Sequence, residues 1–109
     1  MKSQLLSENN QLVLKIQINV TQNDINQAIK DLRNNKPPNT NCPVARAVKR
    51  ITKLNTDAGA ITVTVQFGDN TDFFNLDNNL SQLAQNFDLR EFNKLKPTTG
   101  FISKVIQKG

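Results

Sequence analysis

Leu12-Val13-Leu14-Lys15-Ile16-Gln17-Ile18-Asn19-Val20, followed at once by Thr21-Gln22-Asn23-Asp24-Ile25, holds the change of period that decides the fold. Leu12, Leu14, Ile16, Ile18 and Val20 recur at every second residue, with Lys15, Gln17 and Asn19 between them. That alternation predicts a strand with one buried face. From Thr21 onward the spacing becomes helical: Ile25, Ala28, Ile29 and Leu32 fall on one side of an amphipathic helix over residues 22–34. Thr21 is placed to cap it, and Asp24 sets a negative charge in its first turn. Asn34-Asn35 ends the helix and Pro37-Pro38 forbids its continuation.

Beyond the prolines the helical period returns. Thr40 or Asn41 can cap a second helix, with Pro43 at its first position. Val44, Ala47, Val48 and Ile51 form its apolar stripe, and Arg46, Lys49, Arg50 and Lys53 a second, basic stripe. Asn55 to Gly59 reads as a loop. Ile61, Val63, Val65 and Phe67 alternate with polar residues, Gly68-Asp69-Asn70 is turn chemistry, and Thr71 to Leu76 returns as a strand, so residues 60–76 predict a hairpin. Asp77 or Asn78 caps a third helix with Leu80, Leu83, Ala84 and Phe87 as its buried stripe. Asp88 to Lys96 has room for one more helical turn, and Phe101 to Ile106 closes the chain as a strand. The expected fold is α+β, a small mainly antiparallel sheet packed against helices in the order β-α-α-β-β-α-β. It forms one domain over residues 1–109, with the polar residues 1–10 frayed.

Composition restricts the chemistry. The 109 residues include no His, Trp or Tyr and one Cys. Zinc sites of the finger or catalytic kind, Ser-His-Asp and Cys-His devices, and an intrachain disulfide are therefore outside the chain's means. Base stacking would fall to Phe alone. Met1 to Asn10 carries one Lys and no long apolar run, so no signal peptide is expected, and no stretch has the length of a membrane span. The Asn-x-Ser/Thr sequons at Asn19 and Asn79 are then by-products of abundant Asn. No metal or cofactor and no membrane association is expected, and the location expected is cytoplasmic.

Net charge is +5 with a pI near 9.7. Residues 1–56 hold nine Lys/Arg against three Asp/Glu, and residues 57–109 five against six. The asymmetry points to an anionic partner for the first half. The candidate contact residues are Arg46, Lys49, Arg50 and Lys53 on the second helix, extended by Lys30, Arg33 and Lys36 if the first two helices lie side by side. Such cations can neutralise phosphates and release counterions. The bland reading is that they only solvate an amphipathic helix. No short helix-turn-helix turn is present to support base-specific readout, because residues 34–41 are long and proline-broken.

The other candidates have plainer explanations. Cys42 at a helix start near Arg46 could have a lowered pKa, but it lacks a visible base or partner thiol, and a buried or boundary cysteine is the simpler assignment. Asp69, Asp72, Asp77 and Asp88 flank the hairpin and third helix. The run from Asp69 to Asp72 lacks the length, central Gly and final Glu of a calcium loop, and acid/base work by Asp72 and Asp77 would need a cleft. Of the adjacent Phe73 and Phe74, one must leave the core face of its strand and cover a second face, a partner or another subunit.

Val20-Thr21-Gln22-Asn23-Asp24-Ile25, with Cys42-Pro43-Val44-Ala45-Arg46-Ala47-Val48-Lys49-Arg50, resembles a family of small phage and prophage proteins. These open with a strand and a Val-Thr-x-x-Asp-Ile helix start and continue with a Cys-Pro-Ile/Val-Ala-x-Ala-Leu-x-Arg helix. Phe87-Asp88 and the segment from Pro97 to Val105 are similar to the tail of that family, so the resemblance spans roughly residues 12–105. It departs in the Asn-rich loops and in Thr98-Thr99-Gly100. The family has no activity to carry over. The resemblance implies a mobile-element setting, in which small accessory proteins act by occluding host machinery. The expected function is a non-enzymatic binding protein for an anionic macromolecule, either nucleic acid or an acidic protein that handles it, with inhibition of a host defence complex as its outcome. The alternatives are a nucleotide-binding or sequestering protein, with a pocket between sheet and helices or between subunits of a homo-oligomer, and a carboxylate hydrolase.

Overall fold

The structure is a computed structural model that describes residues 3–8 and 11–108, with side chains described over residues 12–105. In chain order the elements are β1 (Ser3–Glu8), β2 (Gln11–Val20), α1 (Gln22–Arg33), α2 (Pro38–Asn41), α3 (Pro43–Thr52), β3 (Thr56–Ala58), β4 (Thr62–Phe67), β5 (Asn70–Leu76), α4 (Asn78–Asp88), a 3-10 turn (Phe92–Lys94) and β6 (Thr98–Lys108). Among the described residues, six strands form one sheet in the order β1-β2-β6-β5-β4-β3, with every neighbouring pair antiparallel. The expected α+β class and its antiparallel sheet are therefore present. Among the described residues no helix is long and apolar enough to cross a membrane.

Three elements correct the expected order. The fraying expected of residues 1–10 does not hold over Ser3–Glu8, which pair with β2 from Ser3↔Ile16 to Glu8↔Gln11; residues 1, 2, 9 and 10 lie outside the described residues. Residues 56–58, expected in a loop, form the short edge strand β3 against β4, with Thr56 and Ala58 buried and Asp57 exposed. Three residues are too few for a period of two to show. Pro38, expected only as a breaker, occupies the first position of the one-turn helix α2, where its missing N–H costs nothing.

Alternation in β2 holds from Leu14 to Val20; at its start, where the register with β6 shifts between Leu12 and Val13, Val13 is buried and Leu12 only half-buried. Ile16, Ile18 and Val20 are buried on the face that meets the helices, joined by Val63 and Val65 of β4, Phe74 of β5 and Ile102 of β6. Ile25 and Ala28 of α1, Val44, Ala47 and Val48 of α3, and Leu80, Leu83, Ala84 and Phe87 of α4 close the core from the other side. β6 lies between β2 and β5, with Ile102 opposite both Ile16 and Leu76. Phe74 points inward and Phe73 outward, the latter 66% exposed on the opposite face of the sheet. The hairpin turns through Gly68 at φ 60°, a conformation that glycine adopts without a Cβ penalty.

The start of α4 is fixed by the carboxylate of Asp77. One oxygen accepts from the Leu80 N–H at 3.0 Å and the other from the Phe101 N–H at 2.8 Å. Gly100 of β6 sits directly beneath. A Cβ there would lie 2.6 Å from both Asp77 Oδ1 and Leu80 Cγ. Because the carboxylate is held at both oxygens, it has little freedom to yield. Gly100→Ala is expected to cost about 1–3 kcal/mol through overpacking, read as a lower urea midpoint at unchanged m-value. A midpoint equal to that of the wild type would show that the α4 start moves freely.

Candidate anion-binding face

The α1 helix begins with a complete capping box. Thr21 Oγ accepts from the Asp24 N–H at 3.1 Å, and Asp24 Oδ2 accepts from the Thr21 N–H at 2.9 Å. The α3 helix begins on Cys42, whose sulfur accepts from the Ala45 N–H at 3.4 Å, and on Pro43. The two helices pack side by side and run antiparallel, as two cross-helix ion pairs require. Asp24, at the start of α1, takes Arg50 near the end of α3: Arg50 Nε donates to Oδ1 at 3.3 Å, and Nη2 donates to Oδ2 at 2.9 Å and to the carbonyl of Asn19 at 2.6 Å. Asp31, at the other end, accepts from Arg46 Nη1 at 2.5 Å and lies 3.6 Å from Lys36 Nζ.

The seven expected contact residues therefore separate into two groups, with Lys36 joining Arg46 at Asp31. Arg46 and Arg50 lie on the helix face as expected, but they are bonded to the chain's own carboxylates and hold α3 to α1. Lys30, Arg33, Lys49 and Lys53 are exposed and make no ion pair among the described residues. Lys53 is not part of the α3 stripe proper. It caps the helix in the left-handed conformation, at φ 64°. Asp24 and Asp31, which sequence reading did not assign to the site, are 5% and 6% exposed. Their signal was legible: they stand seven apart on the same side of α1 as Ala28, opposite a helix whose arginines are four apart.

Burial alone would raise the Asp24 pKa. Hydrogen bonds from Arg50, from the Thr21 backbone and hydroxyl, and the positive charge of Arg50 outweigh it, so the carboxyl ionises below its ordinary value. It is a fixed anion beneath the face at neutral pH. The segment from Thr21 to Lys53 holds seven Lys/Arg and only these two carboxylates, a net +5, while the remainder of the chain balances seven against seven. The whole net charge thus resides on the α1–α3 layer, with its cations outward and its anions beneath. Between the helices an open depression of about 320 Å³ is lined by Asn23, Asp24, Thr40, Asn41, Arg46, Lys49 and Arg50.

The other candidate residues have structural positions. Cys42 is buried, and desolvation pushes its thiol up to about 11, a shift that its helix N–H contacts only partly oppose. Asp72 pairs with Lys104 at 3.0 Å and Asp77 caps α4, so each carboxylate is engaged within the fold. Phe87 and Phe92 pack at 6.0 Å between ring centroids. The chain matches no protein-family model, no curated protein and no solved structure. The resemblance to phage proteins accordingly rests on the quoted residues alone.

Proposed function

We propose that this chain is a non-enzymatic binding protein whose α1–α3 layer docks an anionic macromolecule. One observation carries the reading: the entire net charge of +5 is concentrated on that layer, and its two carboxylates are buried beneath it. Such a surface attracts a polyanion at long range and holds it in a salt-dependent way. Arg46 and Arg50 fix the two helices in register, while Lys30, Arg33, Lys49 and Lys53 are the cations left to meet the partner. Taken with the resemblance to small phage proteins, the proposed setting is the cytoplasm of a bacterial host. The proposed mechanism is occlusion of a nucleic acid or of an acidic host protein that handles it, with inhibition of a defence complex as the outcome. Nucleotide sequestration is less favoured, because the depression has no aromatic ring for a base to stack on and the guanidinium groups of Arg46 and Arg50 in its wall are already engaged by Asp31 and Asp24.

The ion pairs decide which variants test the proposal. Reversing Arg46 and Arg50 would break the helix clasp and confound folding with binding. Lys30→Glu with Lys49→Glu removes one cation from each helix and touches no internal pair. The wild type is expected to be retained on immobilised heparin at low salt and the double variant to elute at clearly lower salt, both with the same melting temperature. Equal elution of the two proteins would overturn the reading.

A further inference from the structure

Resting on that reading, we infer that the anionic partner is duplex nucleic acid, contacted through its phosphates without base recognition. The four unpaired cations occupy the surface in a way that suits a backbone. Measured from the Asp24–Arg50 pair at 1.5 Å per residue, Lys53 lies on one side and Arg33 on the other, roughly 18 Å apart along the helix axes. That length matches about five base-pair steps of a duplex, at two phosphates per step of about 3.4 Å.

What the surface lacks chooses among polyanions. The six Phe are Phe67, Phe73, Phe74, Phe87, Phe92 and Phe101, all outside the segment 21–53, and Trp and Tyr are absent. Bases of a single strand would have no ring to stack on at this face. Among the described residues the large exposed apolar ones are Ile61, Phe67, Phe73, Leu89 and Val105, and again none belongs to α1 or α3. A protein partner is held by buried aromatic or aliphatic anchors surrounded by a polar rim, and this face offers cations and amides without such a centre. Interfaces with duplex backbone are polar and strongly positive, and most of their hydrogen bonds go to phosphate and sugar.

Base readout is opposed by the same clasp that orders the helices. Arginine reads guanine by presenting its guanidinium fork to the base edge. The forks of Arg46 and Arg50 are turned onto Asp31 and Asp24 instead. The remaining candidates are three lysines and Arg33, on two adjacent helices rather than on one helix free to enter a groove.

The test uses the full chain and labelled probes in fluorescence anisotropy: two duplexes of unrelated sequence, the matching single strand, and polyglutamate as an acidic polypeptide. Equal Kd values for the two duplexes, with weaker binding of the single strand and of polyglutamate, are expected. With four phosphates neutralised, the duplex Kd should rise roughly 100-fold between about 50 and 200 mM salt, and Lys49→Gln with Lys53→Asn should reduce the salt slope by about two. Failure of both duplexes to bind at low salt, or a preference of about tenfold or more for one sequence, would overturn the inference. The two readings fail differently. If polyglutamate binds and Lys30→Glu/Lys49→Glu abolishes it while duplexes do not bind, the basic face stands and the duplex falls. If no probe binds, both fall.

Discussion

Replacement of Phe87 by alanine is expected to lower the unfolding free energy by about 3–5 kcal/mol, the largest effect of any single truncation on α4. The ring is fully buried, belongs to the continuous core between sheet and helices, and meets Phe92 at 6.0 Å. Removing it takes away apolar contact and leaves a cavity against the sheet, whose strands cannot collapse without breaking ladder hydrogen bonds. A domain of this size has a total stability of about 5–15 kcal/mol, so the variant would be a large step toward the unfolded state. Phe87→Leu keeps most of the volume and should cost much less. Urea unfolding of both proteins checks this. A loss below about 1 kcal/mol for Phe87→Ala would mean that the site is less tightly packed than its burial indicates.

The core was legible because its signals are local. Ile16, Ile18 and Val20 alternate, Val44, Ala47 and Val48 follow a helical stripe, and Leu80, Leu83, Ala84 and Phe87 another. Each of these faces is buried. The forced separation of Phe73 from Phe74 was equally visible, since neighbouring residues of a strand point to opposite faces. The position of β6 between β2 and β5 was not, because its pairing joins Ile102 to Ile16 and Leu76 across long sequence separations. The short strand β3 was hidden for another reason. Thr56-Asp57-Ala58 gains its conformation from pairing with β4, with no periodic pattern of its own.

The basic face was half legible, and the half that was missed changes its meaning. A stripe of Arg46, Lys49, Arg50 and Lys53 reads as four equivalent cations when one helix is considered alone. The equivalence ends once Asp24 and Asp31 of α1 are opposed to it, because arginines can reach across an antiparallel helix pair to buried carboxylates. The planar guanidinium can bond one oxygen pair while part of it stays wet, and both side chains remain partly exposed at 31% and 44%. Lys30, Lys49 and Lys53 stay exposed and are left to the outside. The separation of Arg46 and Arg50, which position the helices, from Lys30, Arg33, Lys49 and Lys53, which stay free, is thus a consequence of which carboxylates lie within reach.

Asp24→Ala is expected to move stability and polyanion binding in opposite directions. The substitution removes the second half of the capping box and the carboxylate that holds Arg50. A lost cap costs about 1 kcal/mol, and a hydrogen bond to a charged group about 1.5–3 kcal/mol. Arg50 can return its guanidinium to water, which limits the penalty, so a total of about 2–3 kcal/mol is expected from both causes together. At the same time the basic layer gains one net positive charge and a free guanidinium, so elution from heparin should shift to higher salt. The pH dependence identifies the ionised carboxylate as the source. The folded-state pKa of Asp24 is depressed, so its contribution is complete above the unfolded value near about 4 and is lost as pH falls through the folded value below that. The gap in urea midpoint between wild type and variant should therefore stay constant from neutral pH down to about 5 and narrow below about 4. A gap that persists undiminished into strong acid would assign the stabilisation to helix capping or packing alone. Tighter heparin binding without any loss of stability would mean that Arg50 does not need Asp24 to hold α3 against α1.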